Sequence, residues 1–426
     1  MSFRRWAVGG LRALLRAAGL RSVQVSIAGG IALGLGGCAG DAVTTADSAS
    51  FGYLASSPGP TRIDVAPGAA PGAAWKGIAI TDDGAPVVLE VALDELGDYF
   101  IFGFVTGREG DRWEVSVGPT DGEVVVALFD SELNLLMRSA RADEVPLNRV
   151  LRHDSDLVHV GVAALSSALG ETVEVTVRRI AGAKPADVQA QAVWLNFSGV
   201  SGLNVDRFRE LTFGPLNAAR IGPAYDGATS RLKQAIVDTI QFNYRDYAIE
   251  VLTSDTSPPP DVPFTTVHFG GQNPELLGVA ENVDADNTDL AQNAVVFTES
   301  FAAYASMGLT VEELGAMIGN VATHELGHLL GLQHTFAATS IMDISAGDVW
   351  DIAGVRDFAP ADLDAAVFPA GRVRCDELLL DTLGARVAPL AGAPTHPTEK
   401  AARTARASDL RAPLLHRVCA SCERGS

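Results

Sequence analysis

Between His324 and His334 the chain reads His-Glu-Leu-Gly-His-Leu-Leu-Gly-Leu-Gln-His. No other run constrains the fold as tightly. Residues four apart on an α-helix lie about 40° apart around the axis and roughly 6 Å along it, so His324 and His328 can reach a common metal ion. Glu325 lies beside that face, placed to take a proton from a water the ion activates. On a continuing helix His334 would lie about 15 Å along the axis from His324, out of reach. The chain must therefore turn back. Gly331 permits this, because glycine adopts the left-handed conformation that ends helices without a Cβ penalty. Three neutral imidazoles and one open position make a four-coordinate zinc site. Histidine nitrogens also suit iron, cobalt or copper.

Around this run the pattern is mixed. Thr310-Val311-Glu312-Glu313 fits a capping box, and Leu314, Met317, Ile318 and Val321 continue an apolar stripe, which predicts a long helix from Thr310 into the histidines. Thr229 to Tyr244 reads as an amphipathic helix with Leu232, Ala235, Ile236, Thr239 and Ile240 on one side. Val193–Phe197, Ala248–Leu252, Thr265–Phe269 and Ala294–Phe297 read as strands. Residues 190–370 are thus expected to form an α+β domain.

The pattern HExxHxxGxxH resembles that of the metzincin zinc peptidases, matching residue by residue at His324, Glu325, His328, Gly331 and His334. Ser340-Ile341-Met342-Asp343 is similar to the family's Met-turn, whose methionine packs beneath the ligands. The resemblance runs from Val193 to about Ala370. It implies a zinc-dependent endopeptidase that hydrolyses peptide bonds by metal-activated water, with Glu325 as general base and a protein or peptide as substrate. It also implies a cleft whose edge strand aligns an extended substrate, and Ala294–Phe297 is the candidate strand. Thr335, after the third histidine, and Ile344, two places beyond Met342, depart from the markers of the best-known subfamilies, so the subfamily stays open. The competing class is a non-catalytic envelope binding protein with a structural metal site. Intact Glu325 favours the enzyme.

Residues 76–183 carry short runs of β-branched and alternating residues, such as Trp113-Glu114-Val115-Ser116-Val117, separated by turns such as Thr120-Asp121-Gly122. They predict an all-β sandwich and resemble in pattern the pre-peptidase β-domains found beside secreted bacterial proteases. The expected fold class is therefore multidomain: a sandwich, then a metzincin-like α+β domain. His153 and His159 sit near Asp154 and Asp156, but without a third spaced ligand they read as a solvated strand edge. Ala181 to Gln189 reads as a linker.

The ends of the chain read as addresses and tethers. Residues 1–37 hold five arginines and no acid, and close on a short apolar stretch, as in an export signal. Leu35-Gly36-Gly37-Cys38 resembles a bacterial lipobox, which implies a lipid on Cys38 and anchorage in the cell envelope, the outer membrane in particular. A plain secretory signal and an organelle transit peptide are the alternatives. Residues 38–75 are rich in Ala, Gly, Ser and Pro and read as a flexible tether. No apolar run reaches the ~20 residues of a membrane-spanning helix. A net charge of -20 argues against nucleic-acid binding. Asp284-Ala285-Asp286-Asn287-Thr288-Asp289 offers oxygen ligands of the kind Ca2+ takes, although the glycine and distal glutamate of an EF-hand loop are absent, and a solvated acidic turn competes. His268 reads as a structural strand histidine. Residues 371–426 read as a flexible tail, in which Cys419-Ala420-Ser421-Cys422 has the form of a redox-active or metal-binding pair, and a disulfide of Cys375 with one of the two is the milder reading.

Overall fold

The computed structural model describes residues 61–64, 72, 74–93, 98–120, 124–139, 146–164, 171–343, 349–387, 396–400 and 418–419. The leader, Cys38 and Cys422 lie outside the described residues.

The first part is built of β1 (Thr61–Asp64), β2 (Ala74–Ile78), β3 (Val87–Leu93), β4 (Tyr99–Gly107), β5 (Arg112–Val117), β6 (Val124–Phe129), β7 (Leu135–Ser139), β8 (Leu147–Val150), β9 (Ser155–Ala164) and β10 (Glu171–Ile180). They form two five-stranded sheets of order β1-β3-β10-β5-β8 and β2-β4-β9-β6-β7. Along β5 the side chains alternate, with Trp113, Val115 and Val117 buried between partly exposed neighbours, the period of a strand with one covered face. Those residues meet Phe100, Phe102, Phe104, Val158, Val160 and Val162 of the other sheet in one apolar cluster.

Two elements begin earlier than composition suggests. β1 pairs with β3, and β2 pairs with β4, although Thr61–Asp64 and Ala74–Trp75 fall in the stretch assigned to a tether. Ile63 enters the apolar cluster and Trp75 stacks on Phe102 with ring centroids 5.1 Å apart. Single large apolar residues thus anchor a Gly- and Pro-rich segment.

The second part opens with β11 (Gln191–Asn196) and the hairpin of β12 (Val200–Val205) and β13 (Phe208–Phe213). Helix α1 (Thr229–Asn243), β14 (Ile249–Thr253), β15 (Thr265–Phe269), β16 (Gly278–Ala280) and β17 (Asn293–Val296) follow. The sheet order is β14-β11-β15-β17-β16; all neighbours are parallel except β16, which runs antiparallel at the edge. The edge strand on this side is therefore β16, and Ala294–Val296 belongs to β17, inside the sheet, a correction to the sequence expectation. A three-residue strand without alternation left no periodic signal.

Helix α2 (Val311–Leu329) packs on α1 and on the β16–β17 edge. Its capping box forms, with Glu313 N donating to Thr310 Oγ1 at 3.1 Å and Thr310 N to Glu313 Oε2 at 2.8 Å. Glycines set the close approach of the helices: a Cβ on Gly315 would fall 2.4 Å from Ala235 Cβ.

Past α3 (Val349–Ala353), the chain makes the short pair β18 (Ala361–Asp362) and β19 (Arg372–Val373), then α4 (Cys375–Leu383) and α5 (Pro397–Lys400). Composition assigned residues from 371 onward to a flexible tail. Instead Leu379 and Leu383 enter the main core and α5 packs on α1 and α2.

The two parts share apolar surface. Every residue of β6 is buried. Val125, Ala127 and Phe129 face away from the first cluster and join the core of the second part, where Phe129 meets Phe368 edge-on at 5.3 Å. Gly161 leaves room for this contact, since a Cβ there would fall 2.5 Å from the Phe368 ring. Residues 181–189 are tied down as well: Ala183 N donates to Gly110 O, and Gln189 N to Thr382 O.

Candidate active site

The site begins with a helix that is buried from Leu314 to Leu329 and then stops. Gly331 has φ +91°. Its N–H donates to His328 O, and Leu332 N donates to Gly327 O, both at 2.9 Å. These are the two bonds of a Schellman turn, which needs a left-handed residue at this position. A Cβ on Gly331 would lie 3.0 Å from Asp284 O and from Ala285 Cα, so the position also lacks room for one.

The turn brings His334 back over the helix. The Nε2 atoms of His324, His328 and His334 form a triangle with edges of 3.1, 3.1 and 3.2 Å. His324 Nδ1 donates to Ile341 O and His328 Nδ1 to Leu332 O, each at 2.8 Å. Those bonds place the hydrogens on Nδ1 and leave the Nε2 lone pairs facing a common centre. Converging lone pairs repel unless a cation lies between them. Nitrogens held at 2.0–2.1 Å around a tetrahedral zinc lie about 3.3 Å apart, close to the spacing found. Burial, reinforced by the neighbouring histidines, holds His324 and His334 well below the ordinary imidazole range, and burial lowers His328 to about 4. The rings are therefore neutral and able to bind metal. The donor set fits zinc.

Glu325 is fully buried beside the triangle. Burial raises its carboxyl well above the ordinary range, and hydrogen bonds from Cys419 and the Ala280 backbone oppose that shift. Strand β16 closes over it: a Cβ on Gly278 would fall 2.4 Å from Glu325 Oε1. Met342 is buried against α2 next to His328, its Sδ 2.7 Å from where a Cβ on Gly327 would be. Thr335 ties His334 to this turn. Its N–H donates to Met342 O at 2.9 Å, and its hydroxyl donates to Ser340 Oγ at 3.0 Å.

One participant's place at this site had no signal in the sequence. Cys419 is buried, and its sulfur and the ligand nitrogens of the three histidines all lie within 4.8 Å of one another. It donates to Glu325 Oε2 at 3.1 Å. Among the described residues Cys375 and Cys419 form no disulfide with each other, and Cys375 is buried at the start of α4.

The remaining sequence candidates do not converge. His153 meets Asp381, while His159 bonds Asp130 O from within β9. His268 is held by Asn196 and Asn293, a structural arrangement. The calcium expectation is not supported. Asp284 accepts from Thr288 Oγ1 and Asp289 N, and Asp286 pairs with Arg149 and Arg152. The carboxylates are already engaged, and two of their partners are cations.

Residues 257–349 match the family model of the matrixins, a metzincin family. The matched stretch contains α2, all three histidines and Met342. This stretch is similar to the matrixins. No curated protein matches the chain. Among solved structures, archaemetzincin from Methanopyrus kandleri is similar at 15% identity and a TM-score of 0.23, covering 46% of this chain and 96% of that one. PliG from Aeromonas hydrophila, a periplasmic inhibitor of g-type lysozyme, is similar at 13% identity and a TM-score of 0.22, covering 26% of this chain and 99% of that one. Within the matched stretch Gly278 of β16 lies against Glu325, and the neighbouring His324 bonds Ile341 O of the turn that holds Met342.

Proposed function

We propose that the chain is a zinc endopeptidase of the bacterial cell envelope, exported by its leader and held by a lipid on Cys38, with a β-sandwich domain packed against the catalytic one. The observation that carries the catalytic reading is the triangle of Nε2 atoms with the Glu325 carboxylate buried beside it. When bound, zinc would polarise the scissile carbonyl and make water acidic enough to react near neutral pH. His324, His328 and His334 would hold it. Glu325 takes the proton from the attacking water and passes it to the leaving amine. The raised carboxyl suits a group that must both accept and return a proton. Antiparallel β16 offers main-chain groups at the sheet edge for an extended peptide.

One observation favours a second reading. Three histidines and a cysteine make a closed ligand set, which is characteristic of structural zinc, as in a non-catalytic binding protein. Metal content and hydrolysis of an unfolded protein, measured in full-length Cys419→Ser with and without Glu325→Ala, separate the two. The peptidase reading expects one zinc per chain in both variants and cleavage only where Glu325 is kept. Zinc in both with cleavage in neither would support the structural site, and no zinc would overturn both readings.

A further inference from the structure

Val418 and Cys419 lie against both the edge strand β16 and the histidine cluster. Gly278 N of the edge strand donates to Val418 O at 3.0 Å. This is the main-chain bond that an added strand makes with a sheet edge. One residue on, the Cys419 side chain reaches the reacting groups. Its sulfur lies among the three ligand nitrogens and against Glu325 Oε2. Val418 is 3% exposed and Cys419 0% exposed, so the pair is seated rather than resting on the surface. Two kinds of contact, backbone on β16 and sulfur at the histidines, thus place the same dipeptide in the cleft.

We propose that the C-terminal segment is an intramolecular inhibitor that holds the enzyme latent, with the Cys419 sulfur as fourth ligand of the metal and Val418 paired to β16 in place of substrate. The proposal rests on the peptidase reading above and names how that site is regulated. Thiolate is a preferred zinc ligand. On binding, the S–H bond breaks and its proton passes to Glu325 Oε2. No oxidation is involved. A seated tail then removes the open metal position, the base and the substrate's edge-strand partner together. Displacement of the tail restores all three, because each of the two residues is held by contacts that a peptide substrate would replace.

The test uses the full chain loaded with cobalt in place of zinc, beside Cys419→Ser. Sulfur ligation gives a thiolate-to-cobalt charge-transfer band in the near ultraviolet. The wild type is expected to show the band, and Cys419→Ser to lose it while keeping one equivalent of metal. Iodoacetamide labelling, read by peptide mass spectrometry, is expected to spare Cys419 in the loaded protein and to modify it after chelation. A tail seated in about nine molecules of ten leaves a tenth of the enzyme competent, so the zinc form of Cys419→Ser should cleave an unfolded protein roughly tenfold faster than the wild type. Bound cobalt without the band, or full labelling of Cys419 in the loaded wild type, would overturn ligation and leave the peptidase reading standing. The band with equal cleavage by both chains would overturn the inhibition. Absence of metal from both chains would instead sink the peptidase reading itself.

Discussion

Gly331→Ala tests how the third histidine is delivered. The native φ is +91°, and placing a residue with a Cβ in left-handed backbone costs about 1–2 kcal/mol. The new methyl would also sit 3.0 Å from Asp284 O and Ala285 Cα. Both are backbone atoms of the facing loop, which cannot rotate aside, so overpacking adds about 1–2 kcal/mol more. The combined cost is about 2–4 kcal/mol, which spread over metal binding corresponds to roughly 30- to 700-fold weaker affinity. Relaxation of the metal-free turn would move part of the cost from binding into the unfolding free energy. Both must therefore be measured, by zinc competition with a chromophoric chelator and by urea unfolding of the metal-free chain. Gly182→Ala is the control. Gly182 has φ +79° but nothing within 4 Å of its Cβ site, so only the conformational cost of about 1–2 kcal/mol applies and zinc affinity is unchanged. Losses in Gly331→Ala that sum to less than about 0.5 kcal/mol, the scatter of inert surface changes, would refute the reasoning.

Three further outcomes follow from the same geometry. Gly278→Ala places a methyl against Glu325 Oε1; hydrolysis by the Cys419→Ser chain should fall roughly 100-fold, the cost of displacing a catalytic group by about 1 Å, with zinc content unchanged. Asp286→Ala leaves the Arg149 side chain, 6% exposed, beside Arg152 without its carboxylate, and urea unfolding should show a loss of about 3 kcal/mol. Burial lowers His396 to about 4, so the native state holds it neutral while the unfolded chain protonates near pH 6.5. Stability from this group is complete above about pH 6.5 and is lost as pH falls towards 4. Relative to His396→Gln, the wild type should lose more stability between pH 7 and pH 5, and parallel urea midpoints would contradict this.

What was legible in the sequence was local. The three candidate ligands, the proposed base and the turn lie within eleven residues of one helix end, so helical geometry and one glycine specify their arrangement without knowledge of the rest. The capping box at Thr310 is equally local. Sheet order is not. β16 is three residues long, and its edge position depends on pairing with β17 across the sheet. The loop at Asp284–Asp289 read as acidic because Arg149 and Arg152, which pair with Asp286, come from the first part of the chain. The independence of the two parts was overestimated because a fully apolar strand such as β6 does not say what covers its second face; Phe368 does. Cys419 reaches Glu325 from 94 residues away, and no periodicity reports such a contact.

The central claim is that His324, His328 and His334 hold one zinc ion beside Glu325. Anomalous diffraction from crystals of the zinc-loaded full chain, collected on both sides of the zinc edge, tests it most directly. One peak is expected at about 2.0–2.1 Å from all three Nε2 atoms and about 2.3 Å from Cys419 Sγ. A zinc peak elsewhere, with the three imidazoles left without metal, would contradict the account.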